Sequence, residues 1–344
     1  MSSQQIPRHP LGKNGPAVPA LGFGLMMLTS SSYGSLPNDE ERFAVLDRAV
    51  ELGETFWDTS DLYGDNEVLL KKWFQQTGKR DQIFLASKFG YVKKSPTFEI
   101  DSSAEYCKKA CEETLQNLGV HYIDLYYAHN VNTNTPIEET MRALAELQSE
   151  GKIKHIGLSM ISSNTLRRAV KIAPVAACQA EYSLFSREVE GSAGCDLLAT
   201  CRELGVAFVA ATPLGRGLLT PTFSKGDPVG DSSDMRAQIM PRFVGENRDH
   251  NVKTAQLVEN WAQTKGCSVA QLGLAWLLKQ GDDVFPIPGT RRTKYLEDNC
   301  GSVGVSLSDN EEAEIRGIVE KAGIVGGAVP DRFAGLLFRD TVEE

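Results

Sequence analysis

The sequence predicts an α/β protein built as a closed (β/α)8 TIM barrel, and three observations carry that expectation. Short runs rich in β-branched and aromatic residues alternate with longer segments whose apolar residues recur at three-and-four spacing. The strand-like runs number eight, and eight parallel strands joined by crossover helices close on themselves without leaving a sheet edge. Polar residues able to do chemistry stand at the C-terminal ends of successive runs, which in such a barrel all open on one face.

The chain opens on residues 7–19, where Lys13-Asn14-Gly15 supplies a turn and Pro16 and Pro19 flank it; this reads as a hairpin capping the barrel bottom, with the C-terminal segments at the other end of the chain. Strands are expected over 20–28, 55–59, 83–88, 122–128, 153–159, 176–181, 206–211 and 283–287. Helices are expected over 39–52, 64–77, 102–118, 136–150, 162–173, 193–204 and 268–280. An open doubly wound sheet is the competing architecture, and it calls for GxGxxG after the first strand. The early candidate, Gly22-Phe23-Gly24, lacks the third glycine and runs into Leu25-Met26-Met27-Leu28. The span 214–250 is long and rich in Gly and Pro, and it follows the seventh barrel strand on the catalytic face, so it reads as a functional loop. Two helical segments, 293–300 and 308–321, precede a tail at 322–344 that needs apolar support if it is to be ordered.

A chain of 344 residues, 41% hydrophobic and 24% charged, without a low-complexity tract, is expected to form one domain over 1–344. Its formal net charge of −9 argues against nucleic acid or an anionic membrane as partner, since either needs a basic footprint. No apolar run approaches the roughly 20 residues of a membrane span, and Met1-Ser2-Ser3-Gln4-Gln5 lacks the basic and apolar regions of a signal peptide; a cytoplasmic protein is expected. The seven cysteines show no metal-type spacing. Cys107 and Cys111 are helix neighbours rather than a redox pair, so no metal is expected.

Four side chains form the candidate catalytic set: Asp58 at the end of the second barrel strand, Tyr63 five positions later, Lys88 at the end of the third strand and His129 at the end of the fourth. Taken singly, each has an ordinary structural explanation: an ion pair, a packed ring, a satisfied core histidine. Their joint occurrence on consecutive strands is harder to explain that way. A phenol with a pKa of about 10 is a poor acid near neutrality unless its anion is stabilised. An ammonium at about 4 Å supplies about 4 kcal/mol at an effective dielectric of 20, before desolvation is subtracted. Lys88 then needs Asp58 to stay charged when buried, and His129 can donate to a substrate carbonyl and fix its orientation.

These blocks resemble the aldo-keto reductases. The resemblance rests on Trp57-Asp58-Thr59-Ser60-Asp61-Leu62-Tyr63-Gly64-Asp65-Asn66-Glu67, Lys88, Tyr126-Tyr127-Ala128-His129, Gly157-Leu158-Ser159, Pro213-Leu214-Gly215-Arg216-Gly217 and Ile287-Pro288-Gly289-Thr290. They run in family order over roughly residues 8–320, and Glu181-Tyr182-Ser183-Leu184-Phe185-Ser186-Arg187 makes the chain most like the fungal branch that includes pyridoxal reductases and broad carbonyl reductases. The resemblance implies an NADPH-dependent oxidoreductase that reduces a small-molecule aldehyde or ketone, with Tyr63 as proton donor, Lys88 and Asp58 tuning it and His129 orienting the carbonyl. It implies further that Ser159 and Gln179 hold the nicotinamide carboxamide and that Thr212, Pro213, Leu214, Gly215, Arg216 and Gly217 cover the pyrophosphate. Gly289, Thr290, Arg291, Asp298 and Asn299 would form the adenosine site, with Arg291 on a 2′-phosphate and Asn299 on the adenine; Arg292 and Lys294 add charge there.

The chain departs from the family pattern at Ala211, where many relatives stack an aromatic on the nicotinamide; Tyr182 is the candidate substitute. Met160 and Asn130 also stand where relatives often carry other residues, and both belong to the expected substrate pocket together with Met26, Phe89, Tyr91 and the tail around Phe333. Two other functions fit parts of the pattern. One is a non-catalytic nicotinamide-binding subunit of the same fold, which would hold cofactor without consuming it. The other is a barrel aldolase with Lys88 as its Schiff-base lysine.

Overall fold

The computed structural model describes residues 5–344 apart from Lys94 and Pro96. Two short strands, β1 (Arg8–Pro10) and β2 (Ala17–Pro19), pair antiparallel as the expected hairpin. The barrel strands follow: β3 (Phe23–Gly24), β4 (Phe56–Asp58), β5 (Phe84–Phe89), β6 (Ile123–Ala128), β7 (Ile153–Ser159), β8 (Val175–Glu181), β9 (Ala207–Ala211) and β10 (Val284–Pro286). All eight pair in parallel in the order β3 to β10. The seam is closed by backbone bonds from Gly22 N–H to Pro286 O at 3.0 Å and from Gly24 N–H to Pro288 O at 3.1 Å. Of the expected first strand only Phe23–Gly24 is extended, because Met26–Thr29 turns into a single helical turn.

The period of two along each strand sorts its side chains between two layers. Phe56, Ala86, Leu125, Tyr127, Ala177, Ala207, Val209 and Phe285 fill the barrel interior. Trp57, Tyr126, Leu158, Cys178, Ala180 and Phe208 point outward and pack under the helices. Gly157 belongs to the inward set because a Cβ there would come within 2.3 Å of the Tyr127 ring, which occupies that space. The hairpin plugs the N-terminal end: Leu11 and Val18 join the interior cluster, and Lys13 N–H donates to Gly205 O at 2.8 Å. The same parity sends Asp58, Lys88, His129, Ser159, Gln179 and Ala211 inward at the opposite end.

Helices occupy Asp39–Glu51, Asn66–Thr77, Ala104–Leu118, Ile137–Ser149, Ser163–Ala169, Leu197–Leu204, Val269–Lys279, Thr293–Cys300 and Asp309–Ala322. Three of them begin with reciprocal capping boxes, Asn38 with Glu41, Ser268 with Gln271 and Ser308 with Glu311, which satisfy the orphan N–H groups of the first turn. The expected helix at 193–204 starts only at Leu197, since Cys195 and Asp196 hold left-handed backbone conformations.

The span 214–250 is not a plain loop. It contains the turn Gly215–Gly217, short helices at Pro221–Ser224 and Arg236–Ile239, and the start of a 21-residue helix, Gly245–Lys265, that is not among the expected helices. The reason is composition: the buried stripe of that helix is Asn251, Thr254, Ala255, Val258 and Ala262, so it lacks the large apolar residues that announce a helix face. The segment is tied to the loop after β3, with Met235 N–H donating to Ser32 O at 2.9 Å and Ser35 N–H donating to Asp231 Oδ2 at 2.9 Å.

The tail is ordered against the ends of β6 and β7. Arg339 forms a parallel bridge with Ile161, Asn130 Nδ2 donates to Leu336 O at 2.9 Å, and Phe333 meets Phe98 edge-on at 5.3 Å. Its support is therefore as much backbone pairing as apolar contact. Among the described residues no helix is long and apolar enough to cross a membrane.

Candidate active site

Asp58, Lys88 and His129 converge at the C-terminal mouth because each is an inward residue at the end of its strand. Tyr63 reaches them from the loop after β4. That loop is fixed by Asn66, fully buried, whose Oδ1 accepts from Thr59 Oγ1 at 2.6 Å and whose Nδ2 donates to Leu25 O at 2.9 Å. Thr29 Oγ1 donates to Tyr63 O at 2.5 Å, and Gly64 then turns the chain with φ of 60°.

Lys88 is wholly buried and donates to Asp58 Oδ1 and, at 2.8 Å, to Thr59 O. Its third direction faces the Tyr63 hydroxyl at 3.5 Å. Burial opposes the charge on Lys88, but Asp58 and then Tyr63 more than offset it, and the ammonium is held above its ordinary value. Asp58 uses its other oxygen to accept from Gln179 Nε2 at 2.9 Å. His129 stands beside Tyr63, ring centres 5.8 Å apart and nearly perpendicular, with Tyr91 edge-on from the other side at 5.1 Å.

The net effect on the phenol differs from the simple charge argument. Burial raises the Tyr63 pKa above 10, and Lys88 is the largest influence holding it down. Desolvation thus outweighs the ammonium, and Tyr63 keeps its proton at neutral pH. His129 is pushed well below its usual range, first by burial and then by Lys88, so its ring is neutral.

The expected cofactor residues are gathered on the same face. Ser159 and Gln179, both buried, are register partners on β7 and β8. Thr212 follows β9 with φ of 48°, a strained conformation for a β-branched residue, and its buried Oγ1 has no hydrogen-bond partner among the described residues. Gly215 and Gly217, at φ of 57° and 106°, and the buried Pro213 and half-buried Leu214 continue the turn. Arg216 donates to Glu181 Oε2 and to the Tyr33 hydroxyl, each at 3.3 Å, while its Nε is partnerless among the described residues. A turn with four positive-φ residues, two of them glycine, and with orphaned polar atoms on Thr212 and Arg216 fits a phosphate-bearing dinucleotide.

Gly289 and Thr290 follow β10, and Gly289 is needed because a Cβ would meet Gly24 O at 2.7 Å. Arg291 reaches back across the mouth to the carbonyls of Tyr33 at 2.9 Å, Gly34 at 3.3 Å and Ser35. Asp298 accepts from Ser268 Oγ at 2.9 Å, and Asn299 is buried beside it.

Tyr182 cannot take the place of an aromatic at Ala211. It continues the outward parity of Ala180, packs against Phe208 and Trp276 at 5.7 Å each, and donates its hydroxyl to Glu190 Oε1 at 2.6 Å. Ser60 and Asp61 join the site although neither belongs to the expected catalytic set. Ser60 Oγ lies 3.0 Å from His129 Nδ1 and 3.4 Å from Asp61 Oδ1. Their signal was their position between Asp58 and Tyr63. Asn130, wholly buried, links Tyr91 to the tail by donating to the Tyr91 hydroxyl at 3.1 Å as well as to Leu336 O.

The family model for the Aldo/keto reductase family matches residues 20–320. The chain is 44% identical over 341 residues to the Schizosaccharomyces pombe aldo-keto reductase yakc, whose name carries NADP(+), covering 98% of both chains. It is 41% identical over 325 residues to the Strobilurus tenacellus aldo-keto reductase str7, covering 93% of this chain and 94% of that one. The glycerol dehydrogenase AKR11B4 of Gluconobacter oxydans superposes with a TM-score of 0.79 at 26% identity, over 95% of this chain and 98% of that one. A family match of this extent, joined to fungal relatives aligned from end to end and to a shared barrel, establishes that the chain belongs to the aldo/keto reductase family.

Proposed function

We propose that the protein reduces small-molecule aldehydes or ketones to alcohols with NADPH. The observation that carries the proposal is the place of Lys88, bonded to Asp58 and 3.5 Å from the hydroxyl of a phenol that retains its proton. A bound nicotinamide supplies the hydride. Ser159 and Gln179 would hold its carboxamide, Thr212 to Gly217 its pyrophosphate, and Gly289, Thr290, Arg291, Asp298 and Asn299 its adenosine half.

Within this reading, the neutral His129 ring donates to the carbonyl oxygen and turns it toward Tyr63. Tyr63 then gives up its proton as negative charge develops on that oxygen. The phenolate left behind is stabilised by the Lys88 ammonium, which Asp58 keeps charged. A phenol with a raised pKa favours reduction at neutral pH, because the reverse reaction needs phenolate. The same ion pair counts against a Schiff-base role, since an amine must be neutral to attack a carbonyl.

NADPH consumption over a panel of aryl aldehydes, small aliphatic aldehydes, ketones and pyridoxal tests the proposal. Turnover with any of them, faster with NADPH than with NADH, supports it; tight cofactor binding with no turnover on the panel would point instead to a non-catalytic subunit.

A further inference from the structure

We propose that Ser60 and Asp61 are positioning residues that decide which nitrogen of the His129 ring carries the proton, so that Asp61 switches carbonyl binding on and off. This rests on the reading that His129 meets the carbonyl.

The geometry is a three-member line. Ser60 Oγ is 3.0 Å from His129 Nδ1, 3.4 Å from Asp61 Oδ1, and accepts from Leu62 N–H at 3.1 Å. With Leu62 fixed as one donor, a hydroxyl has one acceptor place and one proton left. Two arrangements fill both. With Asp61 ionised, Ser60 donates to Asp61 Oδ1 and accepts from His129 Nδ1–H, which leaves Nε2 bare and unable to donate. With Asp61 protonated, Asp61 donates to Ser60, Ser60 donates to Nδ1, and His129 carries its proton on Nε2, the nitrogen left free for a substrate. The two states differ by one proton, taken up by Asp61 from solvent; the ring stays neutral and moves its proton from Nδ1 to Nε2 by exchange with water.

The surroundings of Asp61 allow that titration near neutrality. Its side chain is 1% exposed, Oδ2 has no hydrogen-bond partner among the described residues, and Lys93 Nζ from the loop after β5 stands off at 3.9 Å. Glu67 faces it from the helix Asn66–Thr77, Glu113 and Tyr106 from the helix Ala104–Leu118, and Tyr126 from β6. Burial raises the Asp61 carboxyl to about 7, Lys93 being the main influence against it and Glu67 adding to it. His129 faces Lys88, Tyr63 and Tyr91, and it stays neutral throughout this range because burial and Lys88 suppress its protonation.

The test is nitrogen-15 NMR of the full chain labelled at histidine, from about pH 5.5 to 8.5, with the His129 signals assigned by their loss in His129→Gln. The expected result is a proton on Nε2 at low pH and on Nδ1 at high pH, with a midpoint near 7. Asp61→Asn offers Ser60 an amide N–H at every pH and should lock the Nε2 form, and Ser60→Ala should abolish the swap. In parallel, kcat/KM for reduction should fall by about ten-fold or more between the two ends in the parent and stay flat in Asp61→Asn. A parent ring protonated on Nε2 at every pH, or a swap that survives Asp61→Asn, would overturn the relay. A swap without any change in kcat/KM would overturn its link to the carbonyl. Full activity in Tyr63→Phe would fault the functional reading instead, and the tautomer result would still decide the relay.

Discussion

Gln179 Nε2 donates to Asp58 Oδ2 at 2.9 Å, on the carboxylate oxygen that Lys88 leaves over. One residue from the proposed nicotinamide contacts therefore also completes the shell of the buried ion pair. Gln179→Leu removes the donor and leaves a buried carboxylate oxygen unpaired, which costs about 1–3 kcal/mol. Urea unfolding of the cofactor-free protein should show that loss, and a variant as stable as the parent would mean that Gln179 serves cofactor alone.

Arg291 gives its terminal nitrogens to the carbonyls of residues 33–35, so it anchors that loop as well as facing the proposed 2′-phosphate site. Arg291→Ala should weaken NADPH binding by about ten- to a hundred-fold, the worth of a charge-assisted contact. NADH should lose less, through the loosened loop only. Equal losses in the two titrations would leave Arg291 as a loop anchor and nothing more.

Asp61 makes a stability prediction separate from its proposed effect on His129. Its folded pKa of about 7 lies above the ordinary 3.8, so between those values the native state holds a proton that the unfolded chain releases. Stability from this group is greatest at low pH and falls by roughly 1.4 kcal/mol per pH unit as pH rises through that window. Asp61→Asn removes the penalty, and its unfolding midpoint relative to the parent should rise with pH up to about 7 and then level off. A pH-independent difference would show that Asp61 titrates in its ordinary range.

Ala211 lies on the inward face of β9, and Tyr182, the ring expected to substitute there, is committed to Phe208, Trp276 and Glu190 behind the sheet. Ala211→Tyr should therefore add a stacking contact worth about 0.5–1.5 kcal/mol and slow cofactor release several-fold. Stopped-flow dissociation checks it; an unchanged rate would mean that another group already covers the nicotinamide.

The barrel was legible because its signal is repeated eight times, and inward parity alone delivers Asp58, Lys88, His129 and Gln179 to one mouth. The same rule, applied to β8, would have put Tyr182 behind the sheet, since it lies an odd number of residues from the inward Gln179. The helix Gly245–Lys265 stayed hidden because Asn251 and Thr254 are buried by polar bonds, Asn251 Nδ2 donating to Arg242 O and Val325 O at 3.0 and 2.9 Å. Val325 lies 74 residues away, and neither bond adds an apolar residue to the helix face, so no local hydrophobic pattern marks the helix. The upward shift of Tyr63 was equally unreadable, because it depends on how much protein surrounds the phenol and not on which residues flank it.

The central claim is that Tyr63 supplies the proton. The direct test measures NADPH oxidation and cofactor affinity together in Tyr63→Phe, on whichever carbonyl the parent reduces best. Reduction should fall by about two to four orders of magnitude, the usual share of a general acid, with the cofactor dissociation constant nearly unchanged. Activity within a few-fold of the parent would contradict the account, because the group beside Lys88 would then not be the acid.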